Sequence, residues 1–174
     1  MPADGPADRS RRDPARFHRE SLNGPAGPNL KEHALGIERT LFIVKPDAVS
    51  RRLIGRILAH VEEQGFRLVE ARLVKLTREQ CQEFYAEHAT KTFFNGLVDF
   101  MTSSPVMLTC LERENAVAYL REVIGVTDPA EAAPGTIRKL YAESKFRNSV
   151  HASDSPASAE REVKLFFGVA ALAR

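Results

Sequence analysis

Cysteine is scarce in this chain, with two among 174 residues. Cys81 and Cys110 stand in no metal-ligand spacing, so a disulfide framework and a zinc site are both excluded as organising devices. They read as free thiols in a reduced, cytoplasmic compartment. Charge of one sign is also missing: 25 Lys and Arg against 23 Asp and Glu leave a formal net charge of +2. That balance excludes an anion-binding function carried by bulk charge and disfavours nucleic acid as a partner, so any anion site must be a local cluster. No stretch approaches the roughly 18 apolar residues of a membrane span. The opening "MPADGPADRSRRD" has no apolar core of a secretory signal, and Asp4, Asp8 and Asp13 argue against a transit peptide. Two phosphate-binding signatures fail as well, since neither GxxxxGK[ST] nor GxGxxG occurs. A nucleotide bound here is bound without a P-loop. There is no internal repeat.

What the chain does contain is 43% hydrophobic and 28% charged residues, the balance of a globular protein. Residues 1–36 are rich in Pro, Gly, Arg and Asp and poor in large apolar side chains. They read as a disordered tail that cannot offset the entropy of ordering. The domain is expected at 37–174. "RTLFIV" is a β-branched apolar run, hence a buried strand, and "KPDAVS" reads as the turn after it. "RRLIGRILAHVEEQG" sets Leu53, Ile54, Ile57, Leu58 and Val61 on one helical face and stops at Gly65. "FRLVEARLVKL" is a second strand. "TREQCQEFYAEHA" is a helix capped by Thr77, and "FFNGLVDFMTSS" a further short helix ending before Pro105. "VMLTCLER" is a third strand and "ENAVAYLREVIG" a helix closed by Gly125. Residues 126–149 read as irregular, with one turn of helix near "TIRKLY". "SVHAS" holds a short strand, and Ser155 with Pro156 opens the last helix, "PASAEREVKLFF". The order β-α-β-(α-α)-β-α-β-α predicts an α+β sandwich with helices on a mainly antiparallel sheet.

Among the five histidines, His18 and His33 fall in or near the tail, and His60 and His88 on solvated helix surfaces. His151 differs: it ends a strand beside Asn148, Ser153 and Asp154, ahead of a helix carrying Glu160 and Glu162. A neutral imidazole whose tautomer is fixed by a carboxylate is a nucleophile near pH 7. On its own His151 fits a catalytic role and a satisfied structural histidine equally. Lys45, at a strand end before Pro46, is placed rather than merely solvated. Arg121 and Arg138 are each ordinary surface charges taken singly. Gathered with Lys45 around one histidine, they would clamp phosphate, because phosphoryl transfer depends on positioning and charge neutralisation. Tyr85, Phe93 and Phe94 read first as core aromatics, although a phenylalanine at a helix start can offer its face to a base of any kind.

Taken together, "RTLFIVKPDAV", "FFNGLV", "GVTDPAEAAPGTIR" and "NSVHASDS" resemble the nucleoside diphosphate kinase family from about Glu38 to Phe167. The last segment follows the specific pattern N-x-x-H-[GA]-S-D. The resemblance implies a ferredoxin-like fold, with 126–149 as a long loop carrying nucleotide and subunit contacts. It implies that His151 accepts the phosphoryl group, that Lys45 contacts phosphate and ribose, and that Tyr85 lies near the phosphates. Phe93 would stack on the base, Arg121, Thr127 and Arg138 would bind phosphate, and Asn148 the ribose. Glu162 would hold the imidazole, with Ser153 beside it. Mg²⁺ would be held mainly by the nucleotide phosphates rather than by the protein. Nucleoside di- and triphosphates are the implied substrates, and a homo-oligomer, tetramer or hexamer, the implied assembly. Ala152 and Ala48 stand where glycine is common, and "RKLY" replaces a frequent Arg-Gly-Asp-Phe. A catalytically silent nucleotide-binding protein on the same fold is the rival reading, with nucleic-acid binding third.

Overall fold

The computed structural model describes residues 36–173. The expected tail, but for Gly36, lies outside the described residues. The β1 strand, Ile37–Val44, is buried without interruption from Thr40 onward. Such a run has no solvent-facing side, so both faces of the sheet must be covered. Leu41 and Ile43 enter one core with Phe84, Val98, Leu108 and Val163. Phe42 and Val44 enter a second with Ile57, Val61, Leu111 and Leu120. The other strands are β2 (Arg67–Val74), β3 (Val106–Glu114) and β4 (Val150–Ala152), in spatial order β2-β3-β1-β4. Each neighbouring pair is antiparallel. The sheet is the four-stranded antiparallel, helix-covered α+β arrangement anticipated from the sequence.

Helices follow the local signals with two exceptions. In α2 (Ile54–Glu63) Ile57 and Val61 are fully buried, one turn apart, and Gly65 takes φ 82° just beyond. In α3 (Arg78–Phe84) Thr77 Oγ1 accepts the Gln80 N–H while the Gln80 side chain accepts the Thr77 N–H, a reciprocal cap. This helix stops at Phe84, short of the expected "YAEHA", which forms a 3₁₀ turn at Ala86–His88. The "KPDAVS" segment, expected as a turn, is a short helix α1 (Pro46–Ser50). Lys45 is extended ahead of it and Pro46 occupies the first helical position, where its missing N–H costs nothing. Next come α4 (Phe94–Thr102), α5 (Ala116–Ile124) and the single-turn α6 (Ile137–Tyr141). The last, α7 (Pro156–Phe167), opens with Ser155 Oγ accepting the Ser158 N–H.

Candidate active site

His151 is the middle residue of β4, opposite Ile43 of β1. Strand alternation sends its neighbours Val150 and Ala152 into one core and turns the imidazole to the opposite face. There the Phe84 ring meets it edge-on at 5.0 Å and the Tyr85 ring at 6.5 Å. On α7 the buried positions Ala159, Glu162 and Val163 share one helical face, while Glu160 is exposed. Helix geometry thus selects Glu162, not Glu160, to face the strand. Its Oε2 lies 3.0 Å from His151 Nε2 and accepts the Ser153 hydroxyl at 2.8 Å. Ser153 Oγ in turn accepts the Leu41 N–H at 3.2 Å. A carboxylate oxygen can only accept, so Nε2 carries the proton and Nδ1 keeps its lone pair. Burial lowers the His151 pKa against the opposing pull of Glu162, and the charges of Lys45 and Arg138 lower it further. The neutral imidazole is therefore favoured at neutral pH.

Lys45 is buried at the end of β1 and donates to Asn148 Oδ1 at 2.7 Å. Burial lowers its pKa to about 8, with Arg138 adding to the effect and Asp47 opposing it. Arg138, on α6, donates to the carbonyls of Gly125 and Val150, at 2.9 and 3.1 Å. Its pKa falls to about 10 through burial and the nearby charge of Arg121. Its Nε and the Tyr85 hydroxyl are buried polar atoms with no hydrogen-bond partner among the described residues. Burial drives the Tyr85 hydroxyl pKa up. Arg138 Nε and the Tyr85 hydroxyl are both donors, so each can bond a group that accepts.

Lys45, Tyr85, Phe93, Thr127, Asn148 and His151 line one hollow of about 590 Å³. Phe93 is about half exposed there, not in the core that its helical position suggested. Tyr85, by contrast, is buried. Arg121 does not line this hollow. It sits exposed on the last turn of α5, beside Asp154 in a separate depression, and reaches the site through its charge on Arg138. Ala152 avoids positive φ, so its methyl in place of glycine brings no backbone strain. A hollow of similar size, about 630 Å³, gathers Glu83, Glu160, Arg161 and Lys164 but no buried polar group.

Three contributors escaped sequence reasoning. His88, expected on a solvated surface, is half-buried in the wall of the hollow, between the Tyr85 and Phe93 rings. Asp47 is buried and accepts from both the N–H and the hydroxyl of Ser149, at 3.1 and 3.2 Å. Ser149 itself sits at φ 69°, a conformation a serine adopts only when its surroundings impose it. Its carbonyl accepts the Lys45 N–H at 2.9 Å. This contact fixes the distance between the strand end bearing Lys45 and the segment bearing Asn148 and His151. The "KPD" motif was the available signal for Asp47, and nothing local marks Ser149.

Among the described residues no group of three or more His, Cys, Asp or Glu could hold a metal ion, and no helix is long and apolar enough to cross a membrane.

The family model of nucleoside diphosphate kinase matches residues 38–172. A nucleoside diphosphate kinase of Halorhodospira halophila is 53% identical over 133 residues, which are 76% of this chain and 94% of the relative. The solved nucleoside diphosphate kinase of Aquifex aeolicus superposes with TM-score 0.76 at 41% identity, covering 79% of this chain and 99% of its own. That of Halobacterium salinarum, solved in complex with CDP, gives TM-score 0.75 at 42% identity over 79% of this chain and 91% of its own. With this identity sustained over nearly the full length of the relatives, the chain belongs to the nucleoside diphosphate kinase family.

Proposed function

We propose that the chain transfers the γ-phosphoryl group of a nucleoside triphosphate to a nucleoside diphosphate in two half-reactions, with His151 as the carrier. In the first, the Nδ1 lone pair attacks Pγ in line. The N–P bond forms as the bond from Pγ to the bridging oxygen breaks, and that electron pair leaves on the diphosphate. The imidazole ring becomes cationic, and Glu162 stabilises it through the retained Nε2–H. Ser153 holds the carboxylate in place. The second half-reaction reverses the first on a new diphosphate in the same hollow, so a single nucleotide pocket suffices.

Charge neutralisation falls to Lys45 and Arg138, with the Tyr85 hydroxyl donating to a phosphate oxygen. Arg121 reaches the phosphates from the last turn of α5, and Thr127 contacts them from the loop. Asn148 orients the ribose, and Phe93 stacks on the base. Stacking accepts any base, so specificity is broad. The nucleotide enters as its Mg²⁺ complex, whose metal adds positive charge on the phosphates. The cationic donor set around His151 fits that division of labour, because it offers no cluster of carboxylates to compete for the ion. Buried free thiols suit a reducing cytoplasm. Leu73, Val126 and Leu140, each more than half exposed, support burial against further copies in a homo-oligomer, tetramer or hexamer.

The observation that carries this reading is the imidazole itself: one nitrogen bonded to Glu162, with Lys45 and Arg138 close enough for their charges to lower its pKa. Incubation with γ-labelled ATP gives an acid-labile, base-stable phosphoprotein. His151→Ala abolishes the label while leaving the far-ultraviolet circular dichroism unchanged. Wild-type protein that stays unlabelled overturns the mechanism.

A further inference from the structure

The hollow that holds His151 is lined by a second phenylalanine that the mechanism leaves unused. Phe146 lines the same hollow as Phe93, and each is 49% exposed. It is held rather than loose. From behind, the buried Phe100 ring meets it at 5.2 Å, so one side of Phe146 is packed and another stays open. The turn that bears it is pinned from several sides. The N–H groups of Glu143 and Ser144 both donate to the Arg147 carbonyl, at 3.0 and 3.3 Å. Arg147 N–H returns a bond to Ser144 Oγ at 3.0 Å, and the Arg147 guanidinium pairs with Glu143 at 2.7 Å. Asn148 Nδ2 donates to the Lys145 carbonyl at 2.9 Å while Asn148 Oδ1 holds Lys45. The ring is therefore tied, through Asn148, to the buried lysine on the phosphate-binding side.

A pre-ordered aromatic surface on a nucleotide pocket loses little entropy when a flat ring lies on it. Stacking energy grows with the π-surface shared, so a second aromatic surface favours the two-ring bases over the one-ring bases. We propose that Phe146 is a specificity-determining residue, giving the base subsite a second aromatic wall that favours purine over pyrimidine nucleotides. The inference rests on the reading that Phe93 carries the base. Every base is still accepted, with a graded efficiency.

The test compares kcat/KM of the full chain for GDP, IDP, CDP and UDP, each as acceptor from ATP, in wild type and Phe146→Leu. Leucine keeps the apolar packing on Phe100 and removes the π-face. The expected result is a drop of about tenfold in purine kcat/KM, carried by KM with kcat held, and a smaller drop for the pyrimidines, so that the purine advantage shrinks. Lys145→Met, which changes the charge at the rim and not the ring, keeps the advantage. An unchanged purine-to-pyrimidine ratio in Phe146→Leu overturns the proposal, as does a ratio that collapses in Lys145→Met instead. A Phe146→Leu protein with altered sedimentation and an unaltered ratio also overturns it, by assigning the ring to subunit contact. Labelling by γ-labelled ATP runs alongside. Labelled wild type with an unchanged ratio sinks Phe146 alone, whereas unlabelled wild type sinks the phosphohistidine reading and this inference with it.

Discussion

Replacing Lys45 with methionine should make the protein more stable and less active, and the gain in stability should reverse with pH. The side chain is buried, and its pKa falls from the ordinary 10.5 to about 8. That gap corresponds to about 3 kcal/mol of penalty on the native state while the amine is charged. A lysine whose folded pKa is depressed imposes the full penalty below the folded value. The penalty fades as pH rises from about 8 to 10.5 and is gone above the unfolded value. Methionine matches the stem in length and brings no charge. It also orphans Asn148 Oδ1, a buried acceptor, at a cost of about 1–3 kcal/mol. At pH 7 the variant should be more stable by about 1 kcal/mol, or roughly 3 °C in Tm for a chain of this size. Above pH 10.5 only the lost hydrogen bond remains, and the variant should be the less stable of the two. Urea denaturation of both proteins at one concentration, at pH 7 and pH 10.5, measures the crossing. Phosphoryl transfer should fall by orders of magnitude at either pH. A variant less stable at both pH values by the same amount would refute the reasoning, because it would mean that the native environment already compensates the ammonium.

Glu162→Gln should slow formation of the phosphoenzyme by on the order of 10- to 100-fold without abolishing it, the value of one charge-assisted hydrogen bond. An unaltered single-turnover rate removes its assigned role. Nucleotide binding should take up protons near pH 8.5, because phosphate beside Lys45 restores its charged form. Calorimetry in two buffers of different ionisation enthalpy reads this directly, and equal apparent enthalpies contradict it. Asp47→Ala should cost about 2 kcal/mol and depress transfer, since it leaves the Ser149 N–H buried without its acceptor, while the hydroxyl keeps the Tyr141 carbonyl. A loss below about 1 kcal/mol by urea denaturation shows that Ser149 holds its conformation unaided.

Local signals carried most of the fold. The apolar run of β1, the Thr77 and Ser155 caps and the stop glycines at 65 and 125 act within a few residues, so they are readable along the chain. Pro46 marked a helix start as plainly as it marked a turn, and the choice between them depended on Lys45 being extended and buried, which is a tertiary fact. The site was legible through its resemblance and through the carboxylates after His151, yet helix phase, not proximity in sequence, decided between Glu160 and Glu162. Residues joined across long separations stayed hidden. Asp47 meets Ser149 across 102 positions, and Lys45 meets Asn148 across 103. His88 was hidden for a related reason: α3 ends earlier than its apolar pattern suggests, and the 3₁₀ turn rotates the histidine inward.

The position of His151 within the sheet bears on how the proposed catalytic cycle can run. A two-stroke cycle leaves a charged intermediate waiting while one nucleotide departs and the next arrives. A carrier mounted on a surface loop would wander during that interval and would have to be re-aimed for each new visitor. Here the proposed carrier, His151, is laced by backbone ladder bonds to β1, the strand at the heart of both cores. Whatever motion admits and releases nucleotides can then be left to the helical hairpin of α3 and α4 and to the 126–149 segment, while the nucleophile keeps its bearing from one stroke to the next.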